Sequence, residues 1–299
     1  MSARVLISGA GGFVGSVLVP GLKALGCQVS TLVRRKPLSA DEFYWNPEHG
    51  ILDRKALDSV SVIVNLSGAS ISARWTKRKR AEIISSRVGT AGFLTDTIIG
   101  MDKPPALLVS ASAVGYYGYD GPAADEDTPK GEGFLAEVCE KWEKASLPLK
   151  EKGTRVVAAR LGVVLGKGGG VLKKMLPLFR MNLGGKLGGG SQPVSWVASR
   201  ELPFVFDFMM RKESLEGAVN VTSPNGVSNA EFTKYLAEAL HKKAFLTVPA
   251  FALKAAFGPM ADELLLGGVR AKPARLEKAG YLFRYGNLEK FLAEELGKP

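Results

Sequence analysis

One glycine-rich turn near the start of the chain constrains it more than any other feature. Val5-Leu6-Ile7 runs straight into Ser8-Gly9-Ala10-Gly11-Gly12-Phe13-Val14-Gly15, and a helical pattern extends from about Phe13 to Leu25. The spacing Gly9-x-x-Gly12-x-x-Gly15 therefore sits between a strand and a helix. Glycine permits the tight turn and removes the Cβ that would hold a pyrophosphate away. The free N–H groups and positive dipole end of the helix then attract the anion. In this context the turn predicts dinucleotide binding by Gly9, Gly12 and Gly15, with Phe13 and Val14 at the helix start. A tight turn that only packs helix on strand is the competing reading.

The end of the second apolar run refines the prediction. An Asp or Glu there would bond the ribose 2′-OH of NAD. This chain instead has Val33-Arg34-Arg35-Lys36, with no acid before Asp41. Three cations can pair a 2′-phosphate, an arginine bidentately, so NADP(H) is the expected cofactor. A second basic cluster, Arg74-Trp75-Thr76-Lys77-Arg78-Lys79-Arg80, opens a later helix. Cations at a helix start oppose its dipole, which hints at an anionic neighbour, although a solvated face accounts for most of them.

Strand-like runs follow at Val29–Val33, Val62–Leu66, Ala106–Val109 and Val156–Ala159. Apolar at nearly every position, they fit strands covered on both faces. Between them, Ile84, Val88, Ala91, Leu94 and Ile98 form one helical stripe, and Phe134, Val138, Trp142 and Ala145 another, ended by Pro148. The alternation predicts an α/β, Rossmann-like doubly wound parallel sheet. Residues 1–166 form the expected nucleotide-binding domain. Residues 167–299 form a smaller mixed C-terminal lobe whose strands can return to the sheet. Gly168-Gly169-Gly170, Gly184-Gly185 and Gly188-Gly189-Gly190 punctuate a short helix near Val171–Phe179 and read as looped insertions above the sheet. Much of the glycine excess lies there, since 35 glycines exceed the roughly 21 expected at about 7% usage. Ser228-Asn229-Ala230-Glu231 is a capping-box pattern for a helix through Leu240, and Asn287-Leu288 opens a last helix to about Leu296.

Composition excludes several classes. Two cysteines, Cys27 and Cys139, cannot build a disulfide framework or a Cys-type zinc site. Two histidines, His49 and His241, leave little for a metal centre or a Ser-His-Asp triad, so no metal is expected. No apolar stretch approaches membrane-span length, and a strand begins almost at Met1, so the expected location is cytoplasmic. Forty basic against 29 acidic side chains give +11, which favours anionic partners. The nucleotide phosphates take part of that charge. Nucleic acid and membrane are not expected partners, aromatic interleaving being thin.

These pieces together resemble the extended short-chain dehydrogenase/reductase superfamily, most closely its atypical "epimerase family" or SulA-like branch. The resemblance rests on Gly9–Gly15, Asn65-Leu66-Ser67-Gly68-Ala69, the helix from Arg74-Trp75 through Ser86-Arg87, and Ser110-Ala111-Ser112-Ala113-Val114-Gly115-Tyr116-Tyr117-Gly118. It continues in Arg160-Leu161-Gly162-Val163-Val164-Leu165-Gly166 and Lys272-Pro273-Ala274-Arg275-Leu276. It implies that Leu66, Ser67 and Gly68 pass beside the adenosine ribose and diphosphate. It implies that Glu82 and Arg87 reach back toward the cofactor, that Val164, after Arg160, lies near the nicotinamide side, and that Arg160 is cofactor-binding. It gives Ser112 the place of the serine that polarises a substrate carbonyl.

Departures from that pattern bear on chemistry. Active relatives use Tyr-x-x-x-Lys on the helix bearing Trp142, and Leu135 and Cys139 stand there instead. Ser86 replaces the usual asparagine before Gly89-Thr90, and Ala198 takes the place of a histidine frequent in the branch. Tyr116 and Tyr117 are candidate replacement phenols or ordinary junction packing. Asp125, Glu126 and Asp127 are candidate acids or a solvated loop, and Trp196 with the glycine-rich loops is a candidate pocket wall. Two functions follow. One is an NADP(H)-dependent oxidoreductase or epimerase-like enzyme acting on a small carbonyl or hydroxyl compound, with Ser112 and Tyr116 or Tyr117 stabilising charge on oxygen. The other is a catalytically silent NADP(H)-binding sensor or interaction protein of cell-division-inhibitor type.

Overall fold

The structure, a computed structural model, describes residues 3–297. Its strands run in chain order β1 (Arg4–Ser8), β2 (Gln28–Val33), β3 (Glu42–Asn46), β4 (Ile51–Leu52), β5 (Val62–Asn65), β6 (Leu107–Ala113) and β7 (Arg155–Leu161). Then follow β8 (Val163–Leu165), β9 (Gly185–Leu187), β10 (Pro193–Val194), β11 (Trp196–Ala198), β12 (Gly217–Val221), β13 (Val227–Ser228) and β14 (Leu246–Val248). Helices of the first half are α1 (Phe13–Ala24), α2 (Lys77–Ile84), α3 (Thr90–Ile99) and α4 (Phe134–Lys144). The second half has α5 (Gly170–Arg180), α6 (Leu202–Arg211), α7 (Asn229–Ala239), α8 (Ala250–Phe257), α9 (Pro259–Ala261), α10 (Ala274–Lys278) and α11 (Leu288–Leu296).

Eight strands form one sheet in the order β12-β7-β6-β5-β1-β2-β3-β4, parallel except for the β3–β4 pair. Successive side chains of the central strands enter different cores. Val5, Ile7, Val62, Val64, Val157 and Ala159 meet Leu18 and Leu22 of α1 and Val205, Phe206 and Met209 of α6. Leu6, Ile63, Leu108 and Val156 meet Leu94 and Ile98 of α3 on the other side. That two-sided burial is why the strands read as unbroken apolar runs. The sheet reverses its order between β1 and β5, the switch point at which a doubly wound sheet opens a crevice beyond its strand ends.

The division at residue 166 does not bound this sheet. Its edge strand β12 and the covering helix α6 both come from the later half of the chain. Three strands of this sheet lie outside the apolar runs. β3 is mostly half-buried, β4 is a two-residue edge strand beside it, and β12 carries a buried polar residue, Asn220, between Val219 and Val221. The α2–α3 stripe is shifted as well. A π-helical turn at Ser85–Gly89 inserts one residue, so Ile83 and not Ile84 aligns with the buried Ala91, Leu94 and Ile98.

The smaller lobe has its own core of Leu172, Leu176 and Phe179 from α5, Phe232 and Leu236 from α7, and Leu288, Phe291 and Leu292 from α11. The Ser228–Glu231 capping box opens α7 as its sequence requires. Trp196 is fully buried here, stacked on Phe291 at 5.8 Å with its indole N–H donating to Asn225 O. It is core and not a pocket wall. Ala198, in the place of the branch's histidine, packs in the same cluster.

A buried carboxylate ties the C-terminal segment to the turn that opens α6. Glu201, with 0% exposure, accepts from Tyr281 Oη at 2.5 Å, Arg284 N at 3.0 Å and Tyr285 N at 2.8 Å. Glu201→Ala strands three donors and is expected to cost about 3 kcal/mol or more. In a chain of this length that lowers Tm by roughly 5 °C. A melting curve coincident with that of the unmodified protein contradicts this assignment.

Candidate functional site

At the switch point the glycine turn is held by contacts that only glycine admits. Gly9 has φ +73°, and a Cβ there would lie 2.7 Å from Leu66 C and O of the chain leaving β5. A Cβ on Gly15 would lie 2.5 Å from Ala10 Cα. Strand, turn and helix are thus pressed together as the spacing implies, with Gly12 N donating to Gly9 O at 3.0 Å. Gly12 caps α1 without a side chain, and the first turn holds no acid. The helix therefore begins with amide donors that no side chain caps, beside a glycine, Gly11, whose Cβ direction meets no atom within 4 Å. Phe13 turns its ring into the Gly166–Gly170 segment, and a Cβ on Gly169 would lie 2.4 Å from that ring. The glycine run after β8 is therefore shaped around one aromatic side chain. Val14 and Val164 lie partly buried against the α1-side core.

Across the crevice, Ser8 Oγ donates to Asn65 Oδ1 at 2.7 Å, and Ser67 Oγ donates to Ser8 Oγ at 3.0 Å, a buried ladder that fixes the chain leaving β5. Gly68 lies under Arg87. A Cβ there would meet Arg87 Cζ at 3.0 Å. The π-helical turn presents this guanidinium, which donates to Ala69 O at 3.0 Å and Ile83 O at 3.3 Å and rests 5.2 Å from the Trp142 ring. Burial lowers its pKa, and among the described residues no carboxylate pairs with it. Ser86, in the usual asparagine's place, accepts from Ala69 N at 2.9 Å. Glu82 does not join Arg87. Its half-exposed carboxylate pairs with Lys79 at 2.9 Å.

The basic turn after β2 is met by acids from the neighbouring edge. Arg35 pairs with Glu42 through Nη1 at 2.8 Å and Nη2 at 2.6 Å, while Arg34 reaches Glu48 at 3.3 Å. Lys36 is exposed. In the second basic cluster, Thr76 caps α2 and Arg80 stacks over Phe134 at 4.9 Å.

Beyond β5 the expected catalytic residues form a buried polar row. Ser112, Arg160 and Asn220 stand opposite one another on β6, β7 and β12. Ser112 Oγ donates to Glu143 Oε1 at 2.6 Å. Arg160 grips the same carboxylate through Nε and Nη2, each at 2.8 Å, and its Nη1 donates to Tyr117 Oη at 2.9 Å. Tyr117 Oη in turn donates to Asn220 Oδ1 at 2.8 Å. Tyr116 lies half-buried with its ring 3.5 Å from Arg160 Cζ. Arg160 stands three strand spacings from the glycine turn, about 14 Å at ~4.8 Å per spacing. Its guanidinium serves the row and not the glycine turn.

The row holds its protons tightly. Burial pushes the Tyr117 phenol up to about 12, with Arg160 holding it down in part. Cys139, at the lysine position, is pushed up to about 11 by burial and then by Glu143. Leu135, at the tyrosine position, packs among Trp75, Phe134 and Val138. Ser112 has a single O–H, and it is engaged in the hydrogen bond to Glu143, so it is not directed at a carbonyl. Glu126 is not in a solvated loop. It is buried, accepts from Asn220 N at 2.9 Å, and has its pKa raised by burial. Asp125 closes a local turn with Thr128, and Asp127 pairs with Arg275 at 2.8 Å. The buried glutamate and its partners could not be read from sequence because they are joined across long chain separations.

Fold and glycine turn together define a short-chain dehydrogenase/reductase of the extended, epimerase-like kind. The chain belongs to the NAD dependent epimerase/dehydratase family, whose sequence model matches residues 5–222. A model described as a domain of unknown function matches residues 248–295. An epimerase family protein of Mycobacterium bovis is 40% identical over 300 residues, covering 100% of this chain and 99% of that protein. Human epimerase family protein SDR39U1 is 35% identical over 97% of this chain and 99% of its own length. A crystal structure of its isoform 2 with NADPH superposes with a TM-score of 0.90 at 32% identity, covering 98% of this chain and 99% of that one. A Thermus thermophilus UDP-glucose 4-epimerase shares the fold at 19% identity, with a TM-score of 0.76 over 98% of this chain and 97% of that one. Among the described residues no helix is long and apolar enough to cross a membrane, and no cluster of metal-ligating side chains occurs.

The raised Tyr117 pKa has a signed consequence. Unfolded tyrosine ionises near its ordinary value of 10, before the buried phenol does, so this contribution is full below pH 10 and is lost between pH 10 and about 12. Two pH units correspond to up to roughly 2–3 kcal/mol. Tyr117→Phe should therefore melt with a flatter alkaline limb than the unmodified protein. Parallel limbs from pH 8 to 11.5 contradict a phenol held neutral by burial.

Proposed function

We propose that this protein binds NADP(H) across the β1–β5 switch point, and that it does so without the proton-transfer apparatus of its family. The uncapped, acid-free N-terminus of α1, set between the Gly9–Leu66 contact and the Arg34–Lys36 turn, carries this reading. Amides at Phe13 and Val14 would take the diphosphate. Gly68 leaves room beside it for Arg87, a guanidinium with no carboxylate of its own among the described residues. Arg34, Arg35 and Lys36 would take the 2′-phosphate, and Val164 would border the nicotinamide side. When bound, the nicotinamide supplies a hydride donor or acceptor. The complex of human SDR39U1 with NADPH supports the cofactor.

Chemistry at the nicotinamide end is set by what the row no longer offers. Ser112 and Tyr117 are committed to Glu143, Arg160 and Asn220, and Leu135 and Cys139 cannot serve as the acid and the cation. The geometry therefore favours a protein that holds NADP(H) as a ligand, in the manner of a sensor or interaction protein. Tyr116 supports the second reading, an oxidoreductase acting on a small carbonyl or hydroxyl compound. Of the three candidates it is partly exposed, and its ring stacks on Arg160. The surplus positive charge is assigned to nucleotide phosphates and not to nucleic acid or membrane, and the location to the cytoplasm.

Titration calorimetry should show NADPH binding more tightly than NADH, with Arg35→Ala narrowing the gap. Equal affinities in the unmodified protein refute the assignment of the basic turn. Incubation with NADPH and a panel of aldehydes and ketones should leave the absorbance of the reduced nucleotide unchanged. Oxidation that Tyr116→Phe abolishes establishes the oxidoreductase reading instead.

A further inference from the structure

Arg35 is unlike its two basic neighbours in being held in place. Arg34 touches Glu48 at 3.3 Å with both side chains more than half exposed, a pairing worth little. Arg35 instead meets a carboxylate that is itself anchored. Glu42 is the first residue of β3, set in the sheet opposite Thr31, and its side chain is only 19% exposed. Its Oε2 also accepts from Leu38 N at 2.7 Å, so it stays in place independently of Arg35.

The donors of Arg35 can be followed one by one. A guanidinium has five N–H groups. Nη1 gives one to Glu42 Oε2 at 2.8 Å and one to Lys36 O at 3.0 Å, and Nη2 gives one to Glu42 Oε1 at 2.6 Å. The carboxylate thus takes the end of the guanidinium. The Nε–H and the second Nη2–H remain, adjacent and parallel on one edge. Among the described residues neither has a partner, and the side chain is 52% exposed. Two parallel N–H groups are the fork that a phosphate takes bidentately.

We propose that Glu42 is a specificity-determining positioning residue, which holds Arg35 by its end so that the free Nε/Nη2 edge is presented to the 2′-phosphate of NADP(H). The proposal rests on the cofactor reading above. Glu42 touches no cofactor atom in this role and acts through Arg35. A guanidinium already immobilised loses less freedom when the phosphate binds, and a bidentate partner depends on orientation more than a point charge does. The opposite effect, repulsion between the Glu42 carboxylate and the phosphate, predicts the opposite sign and is therefore separable.

The test is the affinity of the protein for NADPH and NADH, measured by titration calorimetry. Unmodified protein is compared with Glu42→Ala, Glu42→Gln, Arg35→Ala and the double variant Glu42→Ala/Arg35→Ala. Glu42→Ala should weaken NADPH by about tenfold while NADH changes by less than about twofold, and Glu42→Gln should fall between. The double variant should bind NADPH no more weakly than Arg35→Ala alone, because the two residues act as one unit. A merely structural role for Glu42 would shift both nucleotides together, and that result overturns the proposal. Tighter NADPH binding in Glu42→Ala overturns it in favour of repulsion. An unmodified protein that binds neither nucleotide overturns the cofactor reading and this proposal with it. One that prefers NADPH, with the preference intact in Glu42→Ala, overturns this proposal alone.

Discussion

Backbone contact between the Gly9–Gly15 turn and the chain leaving β5 is the constraint on which the rest of the molecule depends. The sheet reverses its order between these two strands, and side chains at positions 9 and 15 would push turn, strand and helix apart. The contact is made by backbone alone, and no side chain caps the first amides of α1. The Ser8–Asn65–Ser67 ladder fixes the opposite lip, and the Gly166–Gly170 segment closes around Phe13 from the smaller lobe. A site of this kind is built from missing side chains as much as from those present.

The neighbouring strands are filled in the opposite manner. Leu135 and Cys139 stand where the family pattern has a tyrosine and a lysine, and beside them this chain sets a closed row of Ser112, Glu143, Arg160, Tyr117 and Asn220. Each member gives or accepts what its neighbour needs. A buried ion pair with every partner in place is costly to break from one side. The row also reaches the C-terminal segment, since Asn220 Nδ2 donates to Lys272 O and Glu126 accepts from Arg275 N. The row thus joins the sheet to the C-terminal segment.

How far the chain can be read without coordinates differs from element to element. Central strands and α1 were legible because two-sided burial writes itself as apolar runs and one-sided burial as a stripe. β3 and β12 were not, since β3, one strand in from the sheet's edge, is mostly half-buried, and Asn220 interrupts an otherwise apolar segment for the sake of Tyr117, Glu126 and Lys272. Ile83 displaced Ile84 from the core because a π-helical turn adds a residue, a local choice that periodicity assumes away. Trp196 read as a pocket wall beside loose glycines and proved to be core, because those glycines let chains approach one another closely.

By itself, then, the sequence determined the class of fold and the glycine turn at its switch point. Both follow from short-range rules, the period of burial and the lack of a Cβ at three positions. It also determined that tyrosine and lysine are absent from their usual places. Only the tertiary structure decided what stands there instead, which carboxylate each arginine meets, and which donors remain free. Glu143 and Arg160 lie 17 residues apart, and Tyr117 and Asn220 lie 103 apart. A hydrogen bond acts over about 3 Å and leaves no periodic trace along the chain.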